Sequence, residues 1–184
     1  MKKTDKSETD RILNDFPENL VKLINGLLDD KNYTIKHNAG KALVKKGKTI
    51  IPQMHKLLSS KNSLLRKEAA RIVELIADRR SIPFLISLLE DKESDIRWIA
   101  AEGLVKIGRR SILPLLKSVR DSKNSYLLNK GAHHVLNSLL HEKEKKKLVP
   151  LMQSLGNYHQ LGGIAPAETA NALETVFNVI PYTN

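Results

Sequence analysis

The sequence predicts an all-α protein, a right-handed α-solenoid of about five helical hairpins preceded by a capping helix. Three observations carry this expectation. Segments beginning near residues 20, 51, 82 and 113 superpose at a period of 30 to 31 residues with almost no gaps. In the second half of each copy the apolar residues return every three or four positions, as Ile96, Ile99, Ala100, Gly103, Leu104 and Ile107 do, which marks one helical face. A hairpin of this length cannot bury that face alone, so successive copies must stack.

The elements follow in chain order as one domain, residues 1–184. Residues 5 to 16 form a short polar helix ended by Pro17, within a cap spanning residues 1–17. Four repeats occupy residues 18–143. Pro52, Pro83 and Pro114 open the first helix of copies two to four, where the first turn needs no intrahelical amide donor. The pairs Leu27-Leu28, Leu57-Leu58 and Leu88-Leu89 close that helix. Polar turns "DDKN", "SSKN", "EDKE" and "DSKN" come next, with Asn32, Ser63, Ser94 and Ser125 as N-caps of a second helix. On the second helices the small pairs Ala69-Ala70, Ala100-Ala101 and Gly131-Ala132 let a neighbouring helix come close. Beyond residue 141 the run "HEKEKKK" breaks the period and "LVPLMQSL" resumes it. A loop, "GNYHQLGGIA", and a last helix opened by Pro166 complete a degenerate fifth repeat over residues 144–184.

Composition narrows the function classes. There is no cysteine, which removes disulfide frameworks, thiol catalysis, zinc fingers and iron–sulfur ligation. No apolar run approaches the eighteen or so residues of a membrane span, and no apolar segment follows the charged opening, so a cytoplasmic location is expected. The net charge of +11 favours acidic partners. That charge is concentrated early: residues 21 to 50 carry seven bases against two acids, whereas residues 82 to 111 carry five of each.

The segment "LLEDKESDIRWIAAEGLVKIG" resembles the short HEAT repeat of the phycobilisome-lyase HEAT-like type. The resemblance covers roughly residues 18 to 141 and is closest in units two and three. It implies a ladder of Asp and Arg six residues apart between turn and second helix. Asp91 with Arg97 and Asp30 with Lys36 hold those places, but Ser60 faces Arg66 and Ser122 faces Leu128. The ladder is therefore incomplete, and the fourth unit departs furthest. Members include scaffolds and a few enzymes, so the resemblance implies fold more than activity.

Two surfaces are candidates for function. The first is the concave face made by the second helices, where phase places His37, Lys41, Lys67, Arg71, Trp98, Glu102, Lys106 and His133. Trp98, the sole tryptophan, lies about 200° around its helix from Ile96 and is the expected anchor for a protein or peptide of acidic character. The second is a basic ridge in the turns between units, formed by Lys48, Arg79 and Arg110 with Lys45, Arg80 and Arg109. It could track the phosphates of a nucleic acid, or simply complement helix C-termini. A row of lysines in the turns within units, Lys31, Lys61, Lys92 and Lys123, repeats in the same way.

An enzyme is the third class. Lys41, Arg71, Glu102 and His133 share one row, so Glu102 and His133 are expected as neighbours suited to acid–base work. This loosely resembles the HEAT-like DNA glycosylases, although a second aromatic is missing, and nothing identifies the bilin site of a lyase. Salt bridging of Glu102 to Arg71 or Lys106 is the simpler expectation. His133 and His134 point about 100° apart and cannot chelate one ion together, and His134 is expected inside. No cofactor or metal is called for.

Overall fold

The computed structural model describes residues 3–122, 125–156 and 174–175, and among them every regular element is helical. The loop expected at "GNYHQLGGIA" beyond its first glycine, most of the final helix from Pro166, and Lys123 of the lysine row lie outside the described residues, and Gly156 itself ends a helix. Helix α1 (Lys3–Asn14) is followed by α2 (Glu18–Leu27) and α3 (Tyr33–Lys46), the first hairpin. The second pairs α4 (Ile51–Leu58) with α5 (Ser63–Ile76), the third α6 (Ile82–Leu88) with α7 (Ser94–Ile107), and the fourth α8 (Ile112–Asp121) with α9 (Tyr126–Leu139). Two short helices, α10 (Glu142–Lys147) and α11 (Val149–Gly156), come after. The charged run "HEKEKKK" thus does not interrupt helix formation; Glu144 Oε2 accepts the His141 amide at 2.8 Å and starts α10.

Each hairpin closes on itself, and the copies stack in two layers. In one layer α3, α5, α7 and α9 follow one another, with α11 on α9; in the other, α4, α6 and α8 do. The core runs continuously between them, with Ile24, Leu43, Met54, Leu65, Leu85, Ile96, Leu104, Leu115 and Leu136 almost wholly buried. The second-helix layer is the more closely packed because its contact positions are small: Ala69, Ala70, Ala100, Ala101 and Ala132 are buried. A Cβ on Gly131 would meet Leu89 Cδ2 at 2.8 Å, and one on Gly103 would meet Leu85 Cδ1 at 3.0 Å. The side carrying α3, α5, α7 and α9, expected from the sequence to be the inner one, is called the inner face below.

Three local expectations are corrected. Asn62 caps α5, accepting from the Leu64 and Leu65 amides at 3.0 and 3.3 Å, so Ser63 is already inside the helix. Glu93 stands at the start of α7 with no side-chain cap, so Ser94 is also inside. Asn32 and Ser125 do cap their helices. The ladder forms in unit one, where Lys36 pairs with Asp30 at 2.7 Å, but runs differently in unit three. Arg97 gives its guanidinium to the backbone carbonyls of Asp91 and Lys92, at 2.6 and 3.1 Å. The Asp91 carboxylate is instead held by Arg66 of the preceding unit, at 2.7 and 2.9 Å. The ion pair therefore crosses between repeats.

Junctions between units are single turns of 3-10 helix, Gly47–Ile50, Arg79–Ser81 and Arg109–Ser111. Each preceding second helix ends on a residue with positive φ: Gly47 at 60°, Ala77 at 51° and Gly108 at 87°. From these to Ile51, Ile82 and Ile112 the chain takes four, five and four steps, so Asp78 is one residue extra in the middle junction. That extra residue shapes one of the two sites below.

Candidate functional site

Trp98 stands on α7 and is 58% exposed. Its indole tilts at 48° against the His134 ring, centroid to centroid 4.8 Å. His134 Nε2 in turn hydrogen-bonds Glu102 Oε1 at 2.8 Å, a contact that becomes an ion pair when the imidazole is protonated. The ring thus keeps most of its surface in water while one edge is braced by a neighbouring unit. Between α7 and α9 it overlooks a groove of about 330 Å³, floored by Leu89, Ala101 and Gly131 and flanked by Arg97, Lys130 and His133. Burial, reinforced by the nearby His134, lowers the pKa of His133 below the usual histidine value.

The partner of Glu102 is therefore His134, not His133, Arg71 or Lys106, and His134 is half-exposed and not interior. Lys106 pairs with Glu74 at 2.6 Å. The step between second helices is not constant: the N-cap positions Asn32, Asn62, Glu93 and Ser125 lie 30, 31 and 32 residues apart, and the buried Leu43, Val73, Leu104 and Leu136 keep the same steps. From α7 to α9 the step is 32, so His134 and not His133 holds the place on α9 that Glu102 holds on α7. The other pairs between second helices, Lys36–Glu68, Glu74–Lys106 and Lys67–Asp95, join unlike positions of neighbouring units. Sequence reasoning with a step of 31 missed this; the 32 residues from Leu104 to Leu136 were the available signal.

Among the other inner-face residues, His37 is exposed and stacks on Tyr33 with centroids 5.7 Å apart. Lys67 is committed to Asp95. Lys41 and Arg71 are exposed and have no ion-pair partner among the described residues. Two of the four cations expected to meet a partner's acids are thus already neutralised within the protein.

The ridge between units is also divided. Arg109 reaches across to α10, donating to the Leu139 carbonyl and Glu144 Oε2, both at 3.1 Å. This contact holds the Glu144 carboxyl below the usual range. Arg80 is tied to Asp78: Oδ1 accepts from its amide at 2.9 Å and from Nε at 3.0 Å, and Oδ2 from Nη2 at 3.0 Å. Those bonds hold Asp78, though buried, down to about 2. Arg80 Nη2 also reaches the Lys48 carbonyl at 3.0 Å, linking two junctions. Lys45, Lys48, Arg79 and Arg110 remain exposed, and the last three converge with Asp78 and Arg80 on a cleft of about 420 Å³. Sequence reasoning did not single out Asp78, whose mark was the one-residue surplus in its junction.

Among the described residues no three His, Cys, Asp or Glu side chains are placed to hold a metal ion, and no helix is long and apolar enough to cross a membrane. Stacked hairpins with a continuous core and an exposed inner helix layer define a helical-repeat protein, an α-solenoid. The chain belongs to the family of HEAT repeats, whose sequence model matches residues 20–104 and again 57–137. No curated protein matches the chain.

Proposed function

We propose that the protein is a non-enzymatic scaffold or adaptor that holds a protein or peptide of acidic character on its second-helix face, with Trp98 as the anchor. HEAT-repeat folds typically serve as protein-interaction scaffolds. The observation that carries the finer reading is the braced, largely exposed indole beside an apolar-floored groove. An aromatic already fixed by His134 and Glu102 loses little freedom on binding, so its buried area is converted to affinity with less entropic loss. Lys41 and Arg71, exposed on the same helix layer, supply cations not consumed by internal pairs. Assignment to the phycobilisome-lyase type of repeat rests on "LLEDKESDIRWIAAEGLVKIG" alone.

The test is capture of a partner from native extract by the full chain, with and without nuclease, followed by affinity measurement on the identified partner. Trp98→Ala should weaken that affinity at least tenfold, about 1.4 kcal/mol, and leave the melting temperature unchanged. Unchanged affinity would remove the anchor. Capture that vanishes on nuclease treatment would replace the protein partner by a nucleic acid.

A further inference from the structure

The cleft at the junctions has a composition that the inner-face reading leaves unused. Lys48, Arg79 and Arg110 come from three different junctions, and all three line it. Ion-pair partners for them are absent among the described residues, although like charges gathered in one cleft repel each other. The only carboxylate in the lining, Asp78, has both oxygens occupied by Arg80. The same guanidinium anchors the Lys48 carbonyl, so Arg80 fixes the wall and leaves three cations facing the opening.

We propose that this cleft binds a phosphate monoester dianion carried by a phosphorylated side chain of the protein partner. The proposal rests on the reading that the partner is a protein and specifies its chemistry. Two arginines offer forked donor pairs that match phosphate oxygens, and Lys48 adds a point charge, so a dianion satisfies this cleft better than a single carboxylate. A nucleic-acid track fits the arrangement less well. Tracking needs cations along a line, whereas Arg80 and Arg109 are withdrawn into internal pairs and the free cations converge. Single-strand binding also uses aromatic platforms for base stacking, and the lining residues include no aromatic.

The experiment titrates the full chain with inorganic phosphate while the side-chain N–H resonances of arginine are followed by NMR. Affinities are then compared for a phosphoserine peptide, its unphosphorylated form and a twelve-nucleotide single-stranded DNA. The expected result is phosphate-dependent shifts confined to the arginines that line the cleft, Arg79, Arg80 and Arg110, and at least tenfold tighter binding of the phosphorylated peptide than of the unphosphorylated one. Arg79→Gln and Arg110→Gln should each weaken phosphopeptide binding at least fivefold, and Lys117→Gln, remote on α8, should not. Both arginines are exposed and unpaired, so the variants should melt with wild type; Arg110→Lys, retaining charge without the fork, should fall between. Shifts spread over all exposed arginines, absence of a phosphate preference, or DNA that binds more tightly than phosphopeptide with the same dependence on Arg79 would each overturn the proposal. Trp98→Ala lies outside the cleft and should leave phosphate binding intact, so failure here and failure of the inner-face anchor are read separately.

Discussion

Replacing Asp91 by asparagine should be the most damaging polar substitution in the middle of the stack. Arg66 and Asp91 meet across the interface of units two and three with side chains only 9% and 6% exposed. The pair is bidentate, at 2.7 and 2.9 Å, and Arg66 Nη1 also donates to the Ser60 and Lys61 carbonyls at 2.8 and 3.2 Å. Asp91→Asn preserves shape but leaves a buried guanidinium without its counter-charge. Breaking such a pair costs about 3–5 kcal/mol, and the two retained carbonyl acceptors argue for about 3. With a urea slope of about 2 kcal/mol per molar, the midpoint should fall by about 1.5 M. Urea titration followed by circular dichroism measures this. The double variant Arg66→Met, Asp91→Leu should recover part of the loss, because two apolar side chains need no counter-charge, although the Ser60 and Lys61 carbonyls and the Glu93 amide lose their side-chain partners. Acidity gives a second check. Burial raises the Asp91 pKa, but hydrogen bonds from Arg66 and the Glu93 amide outweigh it, and the folded value lies below the unfolded one. The pair's contribution is therefore complete above about pH 4 and is lost as the pH falls, so wild type and Asp91→Asn should converge in acid. A loss under about 1 kcal/mol at neutral pH, or a double variant as unstable as the single one, would refute the reasoning.

Two further outcomes test the junctions. Ala77 ends α5 in the left-handed region, φ 51° and ψ 44°, where Gly47 and Gly108 serve the other junctions, so Ala77→Gly should raise stability by about 0.5–1 kcal/mol. A lowered urea midpoint would show that the backbone there is not strained. Asp78 titrates at about 2 in the folded protein against an ordinary 3.8, so its stabilisation is present above about pH 4 and disappears as the pH approaches 2. Asp78→Asn should flatten that part of the acid limb in a pH series of thermal melts; an unchanged limb would mean that Arg80 gives the folded state nothing through this carboxylate.

The sequence alone determined the architecture, because each hairpin must find its apolar wall in the next one and that demand is written into every copy. The period, the proline-opened first helices, the leucine pairs and the small residues on α5, α7 and α9 all follow from it. The candidate surfaces were legible only as faces. Helical phase says which side chains leave the core, and it placed Trp98 outside, where it stands. It cannot say which of them meet, since contact between neighbouring helices depends on the flank each side chain leans toward and on a one-residue shift in register. Tertiary structure decided that Glu102 meets His134, that Arg66 holds Asp91 of the next unit, and that an extra residue, Asp78, withdraws Arg80. It also turned an expected line of cations into a cleft where Lys48, Arg79 and Arg110 converge. Periodicity is a property of the chain, whereas pairing belongs to the stack.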